Sequence, residues 1–214
     1  MLWLEELGRK TAQQVFSPLV ELLAAKGVTP NQVTWMGLLG YGVVAALLIA
    51  GLPKLSGIAL AALGPLDAID GMLARKTGQA NRKGAFLDST LDRYAEVVLF
   101  LGILFHLLHK TGDEEMSWIS NTLNWSDSNT PLINSLLVLA ALSGSLLVSY
   151  ARARAEALGF SCKIGLMTRF ERILVLVLAL LFNALRPAML LLAILTHLTA
   201  IQRLRYVLRQ EDRT

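Results

Sequence analysis

The chain has 214 residues, of which 54% are hydrophobic and only 17% are charged, and its mean hydropathy is +0.53. Soluble domains carry about 25% charged residues, so this composition disfavours a soluble enzyme, a disordered chain and a nucleic-acid-binding protein. The net charge of +4 does not indicate a nucleic-acid partner, because the basic residues follow a membrane pattern. The length suits a polytopic membrane protein, since roughly six to eight spans of about 20 residues would fit.

The first predicted element in chain order is an amphipathic helix within residues 1–28. Apolar residues recur there at helical spacing, with acidic and basic residues between them. The segment is too polar to cross a bilayer, and its pattern is typical of a helix that lies in the membrane interface. We therefore expect a juxtamembrane helix ahead of a single transmembrane domain over residues 29–214.

Six long apolar runs follow, and each is long enough to cross a hydrocarbon core of about 30 Å as a helix. Their approximate bounds are 30–50, 55–76, 84–109, 131–158, 169–185 and 187–209. Three of these runs begin with a proline, which a first helical turn tolerates because its missing N–H is not needed there; they are Pro30, Pro131 and Pro187. The predicted fold is therefore all-α, with six transmembrane helices and an N-terminal interfacial helix.

The placement of the basic residues predicts the orientation of these spans. With the N-terminus inside, 17 of the 20 Lys and Arg residues fall on the cytoplasmic side, and only Lys54, Lys110 and Arg186 fall outside. This bias predicts that both termini are cytoplasmic. A basic cytoplasmic face also suits anionic lipid headgroups or a phosphorylated ligand, although topology alone explains many of these residues.

Four aspartates lie where membrane helices should be apolar: Asp67, Asp70, Asp88 and Asp92. A carboxylate at mid-membrane costs roughly 2.5–3.5 kcal/mol on insertion scales, so something must offset these charges. The first two are three residues apart at the end of the second span, and the last two are four apart at the start of the third. Each pair therefore faces one way. A short loop makes the two helices antiparallel neighbours, so we expect the four carboxylates to converge on the cytoplasmic side.

Divalent cations are the expected partners of these carboxylates, because ligand sets made only of oxygen select Mg²⁺, Mn²⁺ or Ca²⁺ over zinc. Two carboxylates from each of two helices suit a pair of metal ions about 3.5–4 Å apart, which clamps a phosphate oxygen while it is displaced. We expect two Mg²⁺ ions, with Mn²⁺ as the alternative. Arg75 and Arg93 are alternative partners for two of the charges. Gly71 and Gly84 would let a ligand approach the backbone closely, although helix packing explains small residues equally well.

Together the stretch reads Asp67-x2-Asp70-Gly71-x2-Ala74-Arg75-x8-Gly84-x3-Asp88-x3-Asp92. It resembles the signature of the CDP-alcohol phosphotransferase family at all eight fixed positions and at every spacing. The resemblance implies a six-span membrane enzyme, a homodimer, that moves a phospho-group from a CDP-linked donor to an alcohol hydroxyl and releases CMP. The donor is usually CDP-diacylglycerol.

The resemblance also implies roles for individual residues. Asp67, Asp70 and Asp88 would bind the metal ions, and Asp92 would complete the metal site and deprotonate the attacking hydroxyl. The residues that it places around the CDP group are Asp67, Asp70, Gly71, Ala74, Arg75 and Gly84. The segment TPNQVT resembles the family's stretch ahead of the first span, so Asn31 and Thr34 would touch the nucleotide as well; the alternative is an ordinary helix start.

Several arginines approach the cytoplasmic ends of the later spans: Arg152, Arg154, Arg169, Arg172 and Arg203. A pocket of arginines suits a phosphate dianion, because each guanidinium binds two oxygens at once. We therefore expect the acceptor to be a phosphorylated polyol. The pattern resembles the phosphatidylinositol-phosphate synthase branch of the family, which implies inositol phosphate, with glycerol 3-phosphate as the alternative. Topology, or salt bridges with Glu156 or Glu171, would explain the same arginines without an acceptor.

The expected protein is thus a metal-dependent enzyme of phospholipid synthesis in the cell membrane, with its active site facing the cytoplasm. Its donor would be CDP-diacylglycerol or an ether-lipid equivalent. A cation transporter that uses the four aspartates as an ion site is the alternative from another class, but it would need a path to the outer face. A non-catalytic CDP-lipid-binding homologue is a third interpretation, and the intact signature argues against it.

The other reactive side chains predict no chemistry. His106, His109 and His197 are expected to be interfacial or packing residues. Cys162 is the only cysteine, so it forms no intrachain disulfide, and no base stands beside it in the sequence.

Overall fold

The computed structural model describes residues 16–64, 66–109 and 130–210, except for the side chains of Asp67 and Thr130. All regular secondary structure in this part of the chain is helical, as predicted. The helices in chain order are α1 (Phe16–Ala25), α2 (Pro30–Ile49), α3 (Pro53–Leu63), α4 (Leu66–Lys76), α5 (Arg82–His109), α6 (Thr130–Ala157), α7 (Arg169–Leu181) and α8 (Leu185–Val207).

Four segments of the described chain are long and apolar enough to cross a membrane: Pro30–Ile49, Pro53–Lys76, Pro131–Ala157 and Leu185–Val207. They coincide with the first, second, fourth and sixth predicted spans, which makes this a membrane protein. Within the second segment the described residues form the helices α3 and α4. Helix α5 has 28 residues, but its first half is strongly charged.

Helix α7 differs from the fifth predicted span. It begins at Arg169 as expected but ends at Leu181, four residues sooner than predicted. Its 13 residues rise only about 20 Å, which is less than the hydrocarbon core of about 30 Å. The helix ends there because the chain turns at Asn183, whose φ of 55° lies in the left-handed region that asparagine tolerates.

The helices form a closed ring around one apolar core. Contacts run from α2 to α5, α6, α8, α7 and α3 in turn, and from α3 back to α2. The core contains fully buried side chains from all of these helices, among them Leu48, Phe100, Leu180 and Leu192. The outer surface carries many exposed large apolar residues, such as Leu39 and Leu132, as expected of helices that face lipid.

Glycines allow two of the helix pairs to approach closely. A Cβ atom built on Gly102 of α5 would lie 2.8 Å from the backbone of Ala45 in α2. One built on Gly57 of α3 would lie 2.9 Å from the side chain of Leu180 in α7. Real Cβ atoms do not come this close, so these two glycines serve helix packing.

The start of α2 and the helix before it lie against α4. The capping box formed by Thr29 and Gln32 begins α2, with Pro30 in its first turn. Helix α1 packs on α2 and α4 through Val20, which lies in a small apolar cluster with Leu73. An ion pair between Glu21 and Lys76 spans 3.1 Å at the edge of this contact. Residues 1–15 of the predicted juxtamembrane helix lie outside the described residues.

Two of the histidines from which no chemistry was predicted contact backbone carbonyl oxygens of neighbouring helices. The Nδ1 atom of His106 lies 3.0 Å from the carbonyl oxygen of Leu48, and the Nε2 atom of His197 lies 3.2 Å from that of Ala140. Cys162 is a buried free cysteine. These positions agree with the interpretation of the histidines as packing residues.

Candidate active site

A cavity of about 200 Å³ opens between the start of α2, the helix α4 and the start of α5. It is lined by nearly every residue that the sequence placed near the nucleotide: Asn31, Thr34, Asp70, Gly71, Ala74, Arg75 and Gly84. Asp88 lines it as well. The side chain of Asp67 lies outside the described part of the structure, so its predicted place here stays a prediction. The close grouping follows from the short connection between α4 and α5, which brings the two halves of the signature together.

The two glycines of this cavity do not serve helix packing. A Cβ atom on Gly71 would meet only the guanidinium of Arg75, at 3.5 Å, and one on Gly84 would meet only the side chains of Asn31 and Asn81, at 3.6 Å. These are ordinary van der Waals distances, in contrast to the contacts at the packing glycines. Because neither glycine has a side chain that would fill the cavity, a ligand can approach the backbone there.

Asp70 joins this cavity to a second, narrower one. The hydroxyl of Thr34 donates a hydrogen bond to its Oδ2 atom over 2.8 Å, and only 6% of the residue is exposed. Asp70 and Thr34 also line the second cavity, together with Asp92 and Arg169. Asp70 thus lines one cavity with Asp88 and the other with Asp92, so the structure brings together the three signature aspartates whose side chains it describes.

The donor atoms around these cavities suit a hard divalent cation. Carboxylate, hydroxyl and amide oxygens line them, and no histidine or cysteine does so among the described residues. Among the described residues, no group of three His, Cys, Asp or Glu side chains is close enough to hold a metal ion by itself. The side chain of Asp67 is not among the described residues. Magnesium is commonly bound by one or two carboxylates together with substrate phosphates, and these residues fit that mode.

Asp92 lies between two guanidinium groups. Its Oδ1 atom is 2.6 Å from Nη1 of Arg169, and its Oδ2 atom is 3.4 Å from Nη1 of Arg93. Arg169 is the first residue of α7, so the start of that helix contacts the signature at Asp92. This places a positive charge directly beside the carboxylate that the sequence predicts to be the base.

Comparison with known proteins identifies the family. Residues 27–202 match the model of the CDP-alcohol phosphatidyltransferases. The chain belongs to this family. Its members are transferases. Every signature residue except Asp67, whose side chain is not described, lines one of the two cavities.

Two relatives are similar to this chain over most of their length and most of its own. The archaetidylinositol phosphate synthase of Pyrococcus horikoshii is 35% identical over 196 residues, which cover 91% of this chain and 92% of that protein. The phosphatidylinositol phosphate synthase of Mycobacteroides abscessus is 31% identical over 210 residues, which cover 94% of this chain and 87% of the relative.

Solved structures of another family member have the same fold. The crystal structure of Mycobacterium tuberculosis phosphatidylinositol phosphate synthase with CDP-DAG bound matches with a TM-score of 0.73 at 28% identity, and covers 92% of this chain and 94% of that one. The same enzyme in complex with manganese and citrate matches with a TM-score of 0.72 at 27% identity, with 90% and 88% coverage. The chain is thus a metal-dependent CDP-alcohol phosphatidyltransferase.

The five arginines predicted for the acceptor do not all line the aspartate cavities. Arg169 alone among them does so, and it lines the narrower one. Arg172 is buried, with Nε 3.0 Å from Oε1 of Glu96 and Nη1 donating to the carbonyl oxygen of Met167 over 3.2 Å. Arg203 is buried too, and it donates to the carbonyl oxygens of Ile164 and Val148 over 2.8 and 2.5 Å.

The other two arginines lie near the end of α6. Arg152 forms an exposed ion pair of 2.8 Å with Glu156 one turn later, which is one of the salt bridges that the sequence left open. Arg154 lines a largely apolar cavity between α6 and α8 together with Arg203, and none of the described signature aspartates lines that cavity. Glu171, the other proposed salt-bridge partner, accepts a hydrogen bond from the hydroxyl of Thr168.

Sequence reasoning missed Glu96, which pairs with Arg172 beside the site. It lies one helical turn after Asp92 on α5, inside a predicted span. A fifth carboxylate at this spacing was the signal that could have found it, because a charge inside a span needs a partner.

Proposed function

We propose that this transferase moves the phosphatidyl group of CDP-diacylglycerol, or its ether-lipid equivalent, to a hydroxyl of inositol phosphate and releases CMP. The observation that carries the proposal is the cavity between α2, α4 and α5. Six of the eight signature residues line it, and Asp92 lines the adjoining one. The relatives support the substrates, since they are named as inositol phosphate lipid synthases and one was solved with CDP-DAG bound.

The CDP group of the donor would occupy the larger cavity, and its two lipid tails would stay in the bilayer. Gly71, Ala74 and Gly84 leave room there for the nucleotide, and Arg75 supplies positive charge for its phosphates. Asp67, Asp70, Asp88 and Asp92 would hold the metal, for which we propose two Mg²⁺ ions. When bound, the metal neutralises charge on the phosphoryl oxygens and on the departing CMP.

Asp92 is the proposed general base. Its carboxylate would take the proton from the acceptor hydroxyl, whose oxygen then forms a bond to the phosphorus of the phosphatidyl group. The bond between that phosphorus and the bridging oxygen of the diphosphate breaks, and CMP leaves with the electron pair. Arg169, 2.6 Å from Asp92, places a positive charge beside the oxygens that become more negative in this step.

Arg169 is also the proposed main contact for the phosphate of the acceptor. It is the one arginine of the predicted five that lines the cavity with Asp92, and it can bind phosphate oxygens from that position. Arg172 and Arg203, each held by protein oxygens, would shape the wall behind it. For Arg152 and Arg154 a direct contact with the acceptor stays a prediction.

We further propose a six-span homodimer in the plasma membrane, with both termini and the active site on the cytoplasmic side. It would consist of a juxtamembrane helix within residues 1–28 and a transmembrane domain over 29–214. The positive-inside bias of the sequence supports this orientation, because the helix ends that surround the aspartates carry most of the basic residues. Helix α7 would span the bilayer together with the residues that follow it.

The test is CMP release by the purified protein with CDP-diacylglycerol and Mg²⁺, with four acceptors compared: inositol phosphate, glycerol 3-phosphate, free inositol and serine. We expect release with inositol phosphate alone, and its loss on addition of EDTA. Release with glycerol 3-phosphate instead would contradict the acceptor but not the reaction. Metal flux into proteoliposomes without CDP-lipid, and no CMP release, would favour the transporter.

A further inference from the structure

Two ion pairs join α5 and α7 beside the site, one helical turn apart. Asp92 of α5 contacts Arg169 of α7 at 2.6 Å, and Glu96 of α5 contacts Arg172 of α7 at 3.0 Å. The two acids are four residues apart and the two arginines are three apart, so each set lies on a single helix face. The first pair lines the narrower of the two aspartate cavities, and neither residue of the second pair lines either cavity.

The second pair is buried more deeply than the first. The side chains of Arg172 and Glu96 are 2% and 12% exposed, against 23% and 16% for Arg169 and Asp92. Charges at this depth are stable only when they are paired and hydrogen-bonded with good geometry. The pair of Glu96 and Arg172 therefore has little freedom to exchange partners, and it is suited to hold the position of its neighbours.

Arg172 connects Glu96 to the start of α7. Its Nη1 atom donates to the carbonyl oxygen of Met167, two residues before Arg169, while its Nε atom binds Glu96. One guanidinium thus links α5 to the backbone that leads into α7. The main packing partners of α7 are α3 and α8, so side-chain contacts such as these set its start relative to α5.

We propose that Glu96 is a positioning residue: through Arg172 it fixes the start of α7, so that the guanidinium of Arg169 reaches Asp92 and the acceptor phosphate. Glu96 lies outside the family signature, and its carboxylate is bound to Arg172 and not to the reacting groups. The acceptor half of this inference rests on the proposed function. The geometric half concerns only the position of residue 169 relative to residue 92, and it does not depend on the proposed function.

The kinetic test is Glu96→Gln, which removes the charge and keeps the shape of the side chain. We expect the KM for inositol phosphate to rise about tenfold, the size typical of coupling within one salt-bridge network, with an unchanged KM for CDP-diacylglycerol. Glu21→Gln, which breaks the exposed pair with Lys76, is the matched control and should change neither value. An unchanged acceptor KM in a folded Glu96→Gln protein would overturn the proposal.

A double-mutant cycle with Arg169→Ala separates positioning from general loss of structure. If Glu96 acts through Arg169, adding Glu96→Gln to Arg169→Ala should raise the acceptor KM no further. Effects that multiply in the double variant would contradict this role. Should Glu96→Gln fail to fold, Glu96→Asp takes its place, because it retains the charge on a side chain one methylene shorter. The acceptor KM should then rise a few-fold, and an unchanged value would count against the proposal.

A cross-linking measurement tests the geometric half without the reaction. Cysteines are placed at Asp92 and Arg169 in a Cys162→Ser background, and a short bifunctional thiol reagent is added. We expect adding Glu96→Gln to lower the cross-linking yield several-fold, and an equal yield would refute the positioning role. If the wild-type protein released no CMP with any acceptor, the proposed function would fail, and this yield would still decide whether Glu96 positions α7.

Discussion

The hydroxyl of Thr34 lies 2.8 Å from the Oδ2 atom of Asp70 and donates a hydrogen bond to it, which links the start of α2 to the signature helix α4. Thr34 lines both cavities, as Asp70 does. The first span therefore contributes to the candidate active site as well as to the membrane-spanning domain. The capping box at the start of α2 is formed by Thr29 and Gln32, and a contact of Thr34 with the nucleotide stays a prediction.

Thr34→Val should weaken donor binding. The substitution keeps the shape of the side chain and removes the donor to Asp70, and a hydrogen bond to a charged group is worth roughly 1.5–3 kcal/mol. We expect the KM for CDP-diacylglycerol to rise about tenfold or more. Thr90→Val is the control, since the hydroxyl of Thr90 donates to the carbonyl oxygen of Phe86 in its own helix. Equal KM values in the two variants would show that the contact has no role in binding.

Asp92→Asn should abolish turnover and leave much of the CDP-lipid binding intact. The amide cannot take a proton from the acceptor, and general-base catalysis contributes about 10²–10⁴-fold to a rate. Binding should survive because Asp92 lines the narrow cavity with Arg169, whereas the larger cavity is lined by other signature residues. The measurement compares kcat with the dissociation constant for CDP-diacylglycerol. A kcat near the wild-type value would exclude Asp92 as the base.

The grouping of the aspartates and glycines was predictable because residues close together in the sequence determine it. Spacing along two helices and one short loop is enough to bring Asp70 and Asp88 to a common cavity. The protein contacts of the arginines were not predictable, because the partners are distant in sequence: Arg172 pairs with Glu96, 76 residues away, and Arg203 donates to Val148, 55 residues away. A count of positive charges cannot tell an arginine that faces a ligand from one that binds a carbonyl.

The end of α7 was missed for a different reason. Hydropathy continues through Phe182 to Leu185, so a search for apolar runs extends the helix beyond Leu181. The left-handed backbone of Asn183, which ends it, is a conformational preference that hydropathy does not register. Asparagine inside an apolar run was the available signal.

Gly71→Ala should distinguish a glycine that lines a site from one that packs helices. The added methyl group meets only the guanidinium of Arg75, so the stability of the protein should not fall. It does fill space at the nucleotide cavity, so we expect the KM for CDP-diacylglycerol to rise several-fold. The control is Gly42→Ala, because a Cβ atom at Gly42 has no neighbour within 4 Å. A lower midpoint of thermal inactivation for Gly71→Ala, with an unchanged donor KM, would favour the packing interpretation.

Arg203→Ala should lower the stability of the protein in addition to any effect on the acceptor. The guanidinium binds the carbonyl oxygens of Ile164 and Val148, and a buried polar group left unsatisfied costs about 1–3 kcal/mol. We expect a fall of several degrees in the midpoint of thermal inactivation in detergent. Arg205→Ala, at an exposed position on the same helix, should leave that midpoint unchanged. A raised acceptor KM at full stability would show that Arg203 acts on the acceptor directly.

The buried thiol of Cys162 should make stability depend on pH in the alkaline range. Burial raises the pKa of this thiol above its ordinary value, and the nearby Arg203 guanidinium offsets only part of the effect. The folded state therefore favours the neutral thiol. Its contribution to stability is complete below the unfolded pKa of about 8.5 and is lost as the pH rises towards the folded value.

We accordingly expect the midpoint of thermal inactivation to fall as the pH rises above about 8.5, and to fall less in Cys162→Ala, which has no thiol to ionise. The folded protein should also resist N-ethylmaleimide at pH 7.5 and react after denaturation in SDS, because alkylation needs an accessible thiolate. Rapid labelling of the folded protein, or the same pH dependence in Cys162→Ala, would show that this thiol is not held neutral by burial.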